Sequence, residues 1–162
     1  MSTHPMATLL KLAGRGELFH VVDVETTGLS ADHDRVIELA TVTVRDGEIV
    51  DRFQTLVDPG AMVSATITRI TGIHAGMLEG APQPEVALKR WLNYLGPGGQ
   101  FVAHNAQFDW NFLKAECARA GLEFPFKRKF CTMKIASHFF PYGGRLKLEH
   151  MMKRFGVERT GD

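Results

Sequence analysis

The chain has 162 residues, 44% hydrophobic and 23% charged, with a formal net charge of +1. That length suits one domain able to bury a real core, and the composition is neither disordered nor fibrous. No run approaches the roughly 18 apolar residues of a membrane span, and Ala7-Thr8-Leu9-Leu10 is too short for a secretory signal, so no membrane partner is expected.

Residues 1–17 carry little pattern and read as a lead-in; residues 18–162 read as the domain. Leu18 to Val24 is an apolar run, the first expected strand. Leu29 to Arg35 has loop composition. Val36 to Val44 is β-branched, Arg45-Asp46-Gly47-Glu48 is a hairpin signal, and Ile49 to Val57 returns as a third strand. Short links between three strands predict an antiparallel meander.

Helical signals follow. Ser64 is placed to cap a short helix through Ile70, with Gly72 to stop it. Glu85 to Leu95 has a helical apolar face of Val86, Leu88, Trp91, Leu92 and Leu95, closed by Gly96-Pro97-Gly98-Gly99. Gln100 to Ala103 is a short buried strand. Asn105 reads as the N-cap of a helix to Ala120, with Phe108, Phe112 and Ala115 toward a core and Gly121 after its end. A short strand near Lys129 to Thr132 and a helix to Phe140 come next. After Pro141-Tyr142-Gly143-Gly144, Leu146 to Phe155 is the last helix, with Leu148, Met151, Met152 and Phe155 inward. A meander followed by alternating helices and strands predicts an α/β fold on a mixed sheet with the first strand central.

Charge is unevenly divided. Residues 1–109 carry −5 and residues 110–162 carry +6, the latter including Lys127-Arg128-Lys129 and Lys153-Arg154. Such blocks serve a phosphate backbone or form ordinary solvated surface. Cys117 and Cys131 are too sparse for a disulfide framework and read as reduced thiols of a cytoplasmic protein.

The chemistry gathers at Asp23-Val24-Glu25-Thr26-Thr27-Gly28. Alternation on a strand puts Asp23 and Glu25 on one face with Cα atoms ~6.5 Å apart. Carboxylates that close repel, and a hard divalent cation taking oxygen ligands resolves the repulsion. The plainer reading is a strand end whose acids face water. Asp109, in the first turn of the helix after the Gln100 strand, is placed to join them.

Asp-Val-Glu-Thr-Thr-Gly on the first strand and His104-Asn105-Ala106-Gln107-Phe108-Asp109 after the fourth resemble the DnaQ-like 3′→5′ exonucleases of the DEDD superfamily, above all the proofreading epsilon subunits of bacterial DNA polymerase III. Ile70-Thr71-Gly72-Ile73 and Leu146-Lys147-Leu148-Glu149 match further segments of that family. The resemblance implies a ribonuclease-H-like fold with a mixed five-stranded sheet, three antiparallel strands then two parallel to the first. It implies two divalent ions, Mg or Mn, with Asp23 bridging them, Glu25 on the ion that carries the attacking water, and Asp109 on the other. Thr26, Thr27, Gly28 and Leu29 would line the terminal nucleotide, Ile70 and Thr71 its base or sugar, and Phe108 would stack against or wedge beside the last base. His104 and Asn105 match as substrate contacts, against plainer roles as an interior histidine and a helix cap. The implied partners are single-stranded or frayed DNA 3′ ends and a DNA polymerase subunit.

One part of the pattern is missing. The family's third motif, His-x-x-x-x-Asp, supplies the general base and a fourth acid, yet His138 is followed five later by Gly143 and His150 by Phe155. Neither His150, expected on a helix surface, nor Asp162 fills the gap. The expectation is a domain truncated near its C-terminal end, with impaired hydrolysis. An RNA-trimming exonuclease and a catalytically silent binding module remain the alternatives.

Overall fold

Phe19–Thr26 forms β1, the strand on which everything else is aligned. A computed structural model describes residues 16–140 and 146–158, so most of the lead-in, the 141–144 turn and Asp162 lie outside the described residues. Along β1 the side chains of His20, Val22, Val24 and Thr26 are buried, while Asp23 and Glu25 look the other way. β2 (Val36–Arg45) pairs antiparallel with β1 and β3 (Glu48–Leu56) antiparallel with β2. Asp46 and Gly47, with φ of 51° and 87°, make the two-residue turn between them; positive φ at both positions matches the twist of a hairpin.

The chain then turns helical in α1 (Ala65–Thr71), α2 (Ala75–Leu78) and α3 (Pro84–Leu95). Ser64 caps α1 by accepting from the Ile67 N–H, and Gly72 ends it at φ 79°. The single turn of α2 carries no capping side chain and had no sequence signal. β4 (Gln100–Ala103), α4 (Gln107–Arg119), β5 (Lys129–Cys131), α5 (Thr132–Phe139) and α6 (Leu148–Phe155) complete the described chain. The sheet order is β3-β2-β1-β4-β5, with β4 parallel to β1 and β5 parallel to β4. This is the expected mixed sheet with β1 at its centre.

The main core joins Val22, Val24 and Leu39 of the sheet to Leu88, Trp91 and Leu95 of α3 and Phe112 and Leu113 of α4. Trp91 is fully buried and gives its indole N–H to the Thr41 hydroxyl at 2.9 Å, which removes the penalty of an orphan donor. Burial pushes the Cys117 thiol up to about 11, so it behaves as a small apolar side chain.

Three expectations are corrected. Asn105 does not cap α4: Ala106 holds that position, and Asn105 sits in the left-handed region at φ 64°, its carbonyl taking the Phe108 N–H at 2.9 Å. The chain leaves β4 too sharply for an extended residue there, and asparagine tolerates the left-handed turn. In α3, Val86 is exposed, and in α6 only Met151 is fully inward, because this short helix meets its neighbours along one line through Ala136 and Leu146. Leu148 and Phe155 face out. The end of α4 does follow expectation: Gly121 at φ 65°, with Leu122 N–H to Cys117 O at 2.8 Å and Gly121 N–H to Ala118 O at 3.2 Å, is a Schellman ending.

α4 is tied to the meander by charge. Glu116, 2% exposed, accepts from Arg35 Nε at 2.8 Å, Arg35 Nη2 at 3.0 Å and the Val36 N–H at 3.2 Å, with Arg119 at 3.3 Å. Losing one partner of a buried pair leaves the other uncompensated. Glu116→Gln is expected to destabilise the chain by about 2–3 kcal/mol, moderated because Arg35 reaches water, and to lower the melting temperature by about 5–10 °C. A change under about 1 °C in thermal denaturation would contradict this.

Candidate active site

β1 runs past the end of its parallel neighbour. The last register pair is Val21 with Val102, and the chain leaves β4 at Ala103. Beyond that point the β4 side of β1 has no strand, and α4 closes the gap. Asp109, in the first turn of α4 and 3% exposed, accepts the Val24 N–H on Oδ1 at 3.2 Å. Since Val24 stands between Asp23 and Glu25, the third carboxylate is pinned beside the first two.

The electrostatics follow from that crowding. Burial, then the Asp23 charge and more weakly Glu25, push the Asp109 carboxyl up to about 7, against its N–H contacts. Asp23 keeps one side open to solvent, yet the protein around it raises its pKa, with Glu38 adding and His104 opposing. Glu25 is raised by burial, then by Asp23 and Glu38. Glu38 is thus a fourth acid at this edge, opposite Glu25 in the β1–β2 register and steadied by Gln54 Nε2 at 2.8 Å. Sequence reasoning missed it, because the register of β2 against β1 is what brings it there. Among the described residues, no three His, Cys, Asp or Glu side chains already stand as a cation cage. Asp109 instead turns an oxygen to the backbone.

The loop after β1 is built tightly. The Thr26 hydroxyl, buried, donates to Gly28 O at 2.6 Å, and the Thr27 hydroxyl accepts the Arg35 N–H at 3.0 Å. Asp34 takes the Ser30 N–H at 2.9 Å and fills the space above Gly28, where a Cβ would collide with its carboxylate. Thr26 and Thr27 therefore shape the loop and do not offer free hydroxyls, whereas Leu29 is 88% exposed. Ile70 projects 73% exposed from α1, but the Thr71 hydroxyl is occupied between Ile67 O and the Ile73 N–H. Phe108 is partly buried with its ring 4.8 Å from Phe112. His104 shares Nδ1 with the Thr132 hydroxyl at 2.9 Å, and its Nε2 is shut from solvent without a partner. Asn105 is exposed. His138 and His150 are exposed too, on α5 and α6.

This sheet and its flanking helices define the class: a ribonuclease-H-like exonuclease fold. The chain belongs to the RNase_T exonuclease family, which matches residues 20–162. It is 42% identical over 144 residues to the PolC-type DNA polymerase III of Bacillus cereus and 39% identical over 137 to that of Listeria monocytogenes. These matches cover 89% and 85% of this chain but only 10% and 9% of the polymerases, so the chain spans about a tenth of those relatives. Among solved structures, exonuclease X in complex with 5′ overhanging duplex DNA aligns with a TM-score of 0.69 and 27% identity, over 89% of this chain and 76% of that one. The nuclease domain of 3′hExo, a DEDDh family member bound to rAMP, shares the fold with a TM-score of 0.77 and 22% identity, over 91% and 83%.

A carboxyl with a raised folded-state pKa holds its proton more tightly in the folded chain. Its stabilising effect is full below the ordinary value near ~4 and is lost as pH rises through about 7. In chelator, stability is expected to fall by up to ~4 kcal/mol between those limits. Asp109→Asn keeps an acceptor for Val24 and removes the charge, so its melting temperature at pH 8 should exceed the parent's and vary less with pH. Parallel melting curves for the two proteins across pH 5–8 would contradict this.

Proposed function

We propose that the chain is a divalent-metal-dependent exonuclease that hydrolyses phosphodiester bonds at DNA 3′ ends and releases nucleoside 5′-monophosphates. The observation that carries this reading is the Asp109 carboxylate seated on the Val24 N–H, between Asp23 and Glu25. Three acids raised by burial, with the Asp23 charge acting on Glu25 and Asp109, are ill-suited to approaching phosphate by themselves at the end of a central strand. They suit hard cations, and Asp23, Glu25 and Asp109 would hold two Mg or Mn ions. Such ions, when bound, supply an activated water and stabilise charge on the attacking and leaving oxygens.

The chain's own residues do the positioning. The Thr26–Gly28 contact and Asp34 fix the loop whose main chain faces the 3′-terminal nucleotide. Leu29 and Ile70 leave large apolar side chains in water, an arrangement suited to a nucleobase contact. Phe108, packed at a tilt against Phe112, would give a firm aromatic edge to the last base. His104 steadies Asp23 by charge, but its enclosed Nε2 is poorly placed to take a proton from water. Residues 18–162 act as the exonuclease domain on single-stranded or frayed DNA ends beside a polymerase in the cytoplasm, in keeping with the PolC-type relatives. DNA is favoured over RNA by those relatives and by exonuclease X.

Titration with Mn²⁺ followed by electron paramagnetic resonance, beside digestion of end-labelled single-stranded DNA, tests this. Asp23→Ala and Asp109→Asn should each weaken Mn²⁺ binding at least about tenfold and cut nucleotide release roughly 100-fold or more. Release should come from 3′ ends and stop in chelator. Digestion from 5′ ends, chelator-resistant turnover, faster release from matched RNA, or unaltered Mn²⁺ binding would sink the reading.

A further inference from the structure

The end of the sheet that carries Asp23, and that Asp109 of α4 closes, continues across two more strands. β4 and β5 are parallel, Ala103 pairing with Cys131, so both chains leave the sheet at the same end. β5 lies two strands from β1, roughly 10 Å at ordinary inter-strand spacing. Between the end of β5, the start of α5 and the turn into α4 lies a cavity of about 260 Å³. Phe130 and Ile135 give it apolar walls, and Lys129, Lys134, Asn105 and Gln107 give it polar ones. Asn105 also lines the neighbouring hollow that contains His104, where the chain passes from β4 to α4 and Asp109. The cavity therefore adjoins the carboxylate site through His104 and Asn105.

The cations here are of one sign and uncompensated. The Lys129 ammonium lies 4.5 Å from the centre of the Trp110 ring. Burial, and the nearby charges of Lys134 and Lys114, loosen its hold on its proton. The ion pairs among the described residues are Arg35–Glu116, Lys89–Glu85 and Arg119–Glu116, so none involves these three lysines. Gathered cations without counter-charges draw anions to the surface. A free phosphate would use the lysines but not the apolar walls or the amides. A nucleotide within a strand uses all of them: phosphate on lysine, sugar and base against Phe130 and Ile135, base edge on amide groups. Gln107 gives an N–H to Asn111 Oδ1 at 2.6 Å and keeps its carbonyl oxygen as an acceptor.

We propose that this cavity is a subsite for a nucleotide of the substrate strand at least two positions upstream of the one being released, with Lys129 and Lys134 on its phosphate and Asn105 and Gln107 toward its base. The proposal rests on the nuclease reading above. It gives the basic second half of the chain a role, holding the strand while the acidic first half surrounds the scissile end.

Fluorescence anisotropy of 5′-labelled dT8 and dT2 in calcium, as a function of salt, tests it. Lys134→Gln changes an exposed residue of α5, and the Lys129→Gln/Lys134→Gln pair is checked by thermal melting. The double variant should bind dT8 roughly fivefold or more weakly, with a salt slope smaller by about one to two, and dT2 as the parent does. Unchanged dT8 affinity, or equal losses for dT2 and dT8, would overturn the subsite. So would displacement of dT8 by millimolar dTMP or inorganic phosphate in the parent but not the variant, which marks a free-phosphate site. Matching losses toward polyglutamate would reduce it to a general polyanion patch. A parent that neither binds dT8 in calcium nor shortens it in Mn²⁺ would sink the nuclease reading, whereas a parent that does both beside an unimpaired variant sinks only the subsite.

Discussion

One hydrogen bond decides how the candidate site is assembled: the Val24 N–H donated to Asp109. It exists because β1 outruns β4, leaving a strand donor where no strand remains to accept it. A buried unpaired N–H costs about 1–3 kcal/mol, so an acceptor from α4 is favoured there. A serine or asparagine would serve that structural need as well. An aspartate brings a charge that burial and its acidic neighbours oppose, which is a local conflict between stability and something else. Conflicts of that sort mark functional positions more often than structural ones.

Seven residues further along the same face of α4, Glu116 repeats the arrangement on β2, accepting the Val36 N–H together with Arg35. The contrast is instructive. Glu116 meets cations and is compensated; Asp109 meets only backbone donors and other carboxylates. One helix face thus carries a charge-compensated anion that anchors it and one at the strand end that no described cation compensates. The anchor holds α4 in register with β1 and β2 and thereby keeps Asp109 in place, so the two acids act at different levels of the same design.

Much of this could be read from the residues. Period-two alternation put Asp23 and Glu25 on one face, the Asp46-Gly47 turn gave the hairpin, and the Schellman ending was visible in Gly121. What escaped was set by contacts between distant residues. Arg35 and Glu116 are 81 positions apart, and nothing in either segment announces the pair. Glu38 joins the acids only through the cross-strand register. Asn105 has the right identity for a cap but the wrong backbone, because the exit angle from β4 is a tertiary property. Leu148 and Phe155 repeat at helical spacing, yet among the described residues both stay largely exposed, Phe155 meeting only the edge of Phe140.

The claim beneath all of this is that divalent cations, and not water alone, complete the group formed by Asp23, Glu25 and Asp109. Anomalous scattering from crystals soaked in Mn²⁺ addresses it without reference to turnover. The account predicts a peak about 2.1 Å from carboxylate oxygens of Asp23 and Glu25, with a further ion reached by Asp109. Ordered Mn²⁺ elsewhere on the chain, with these three carboxylates bare, would contradict it.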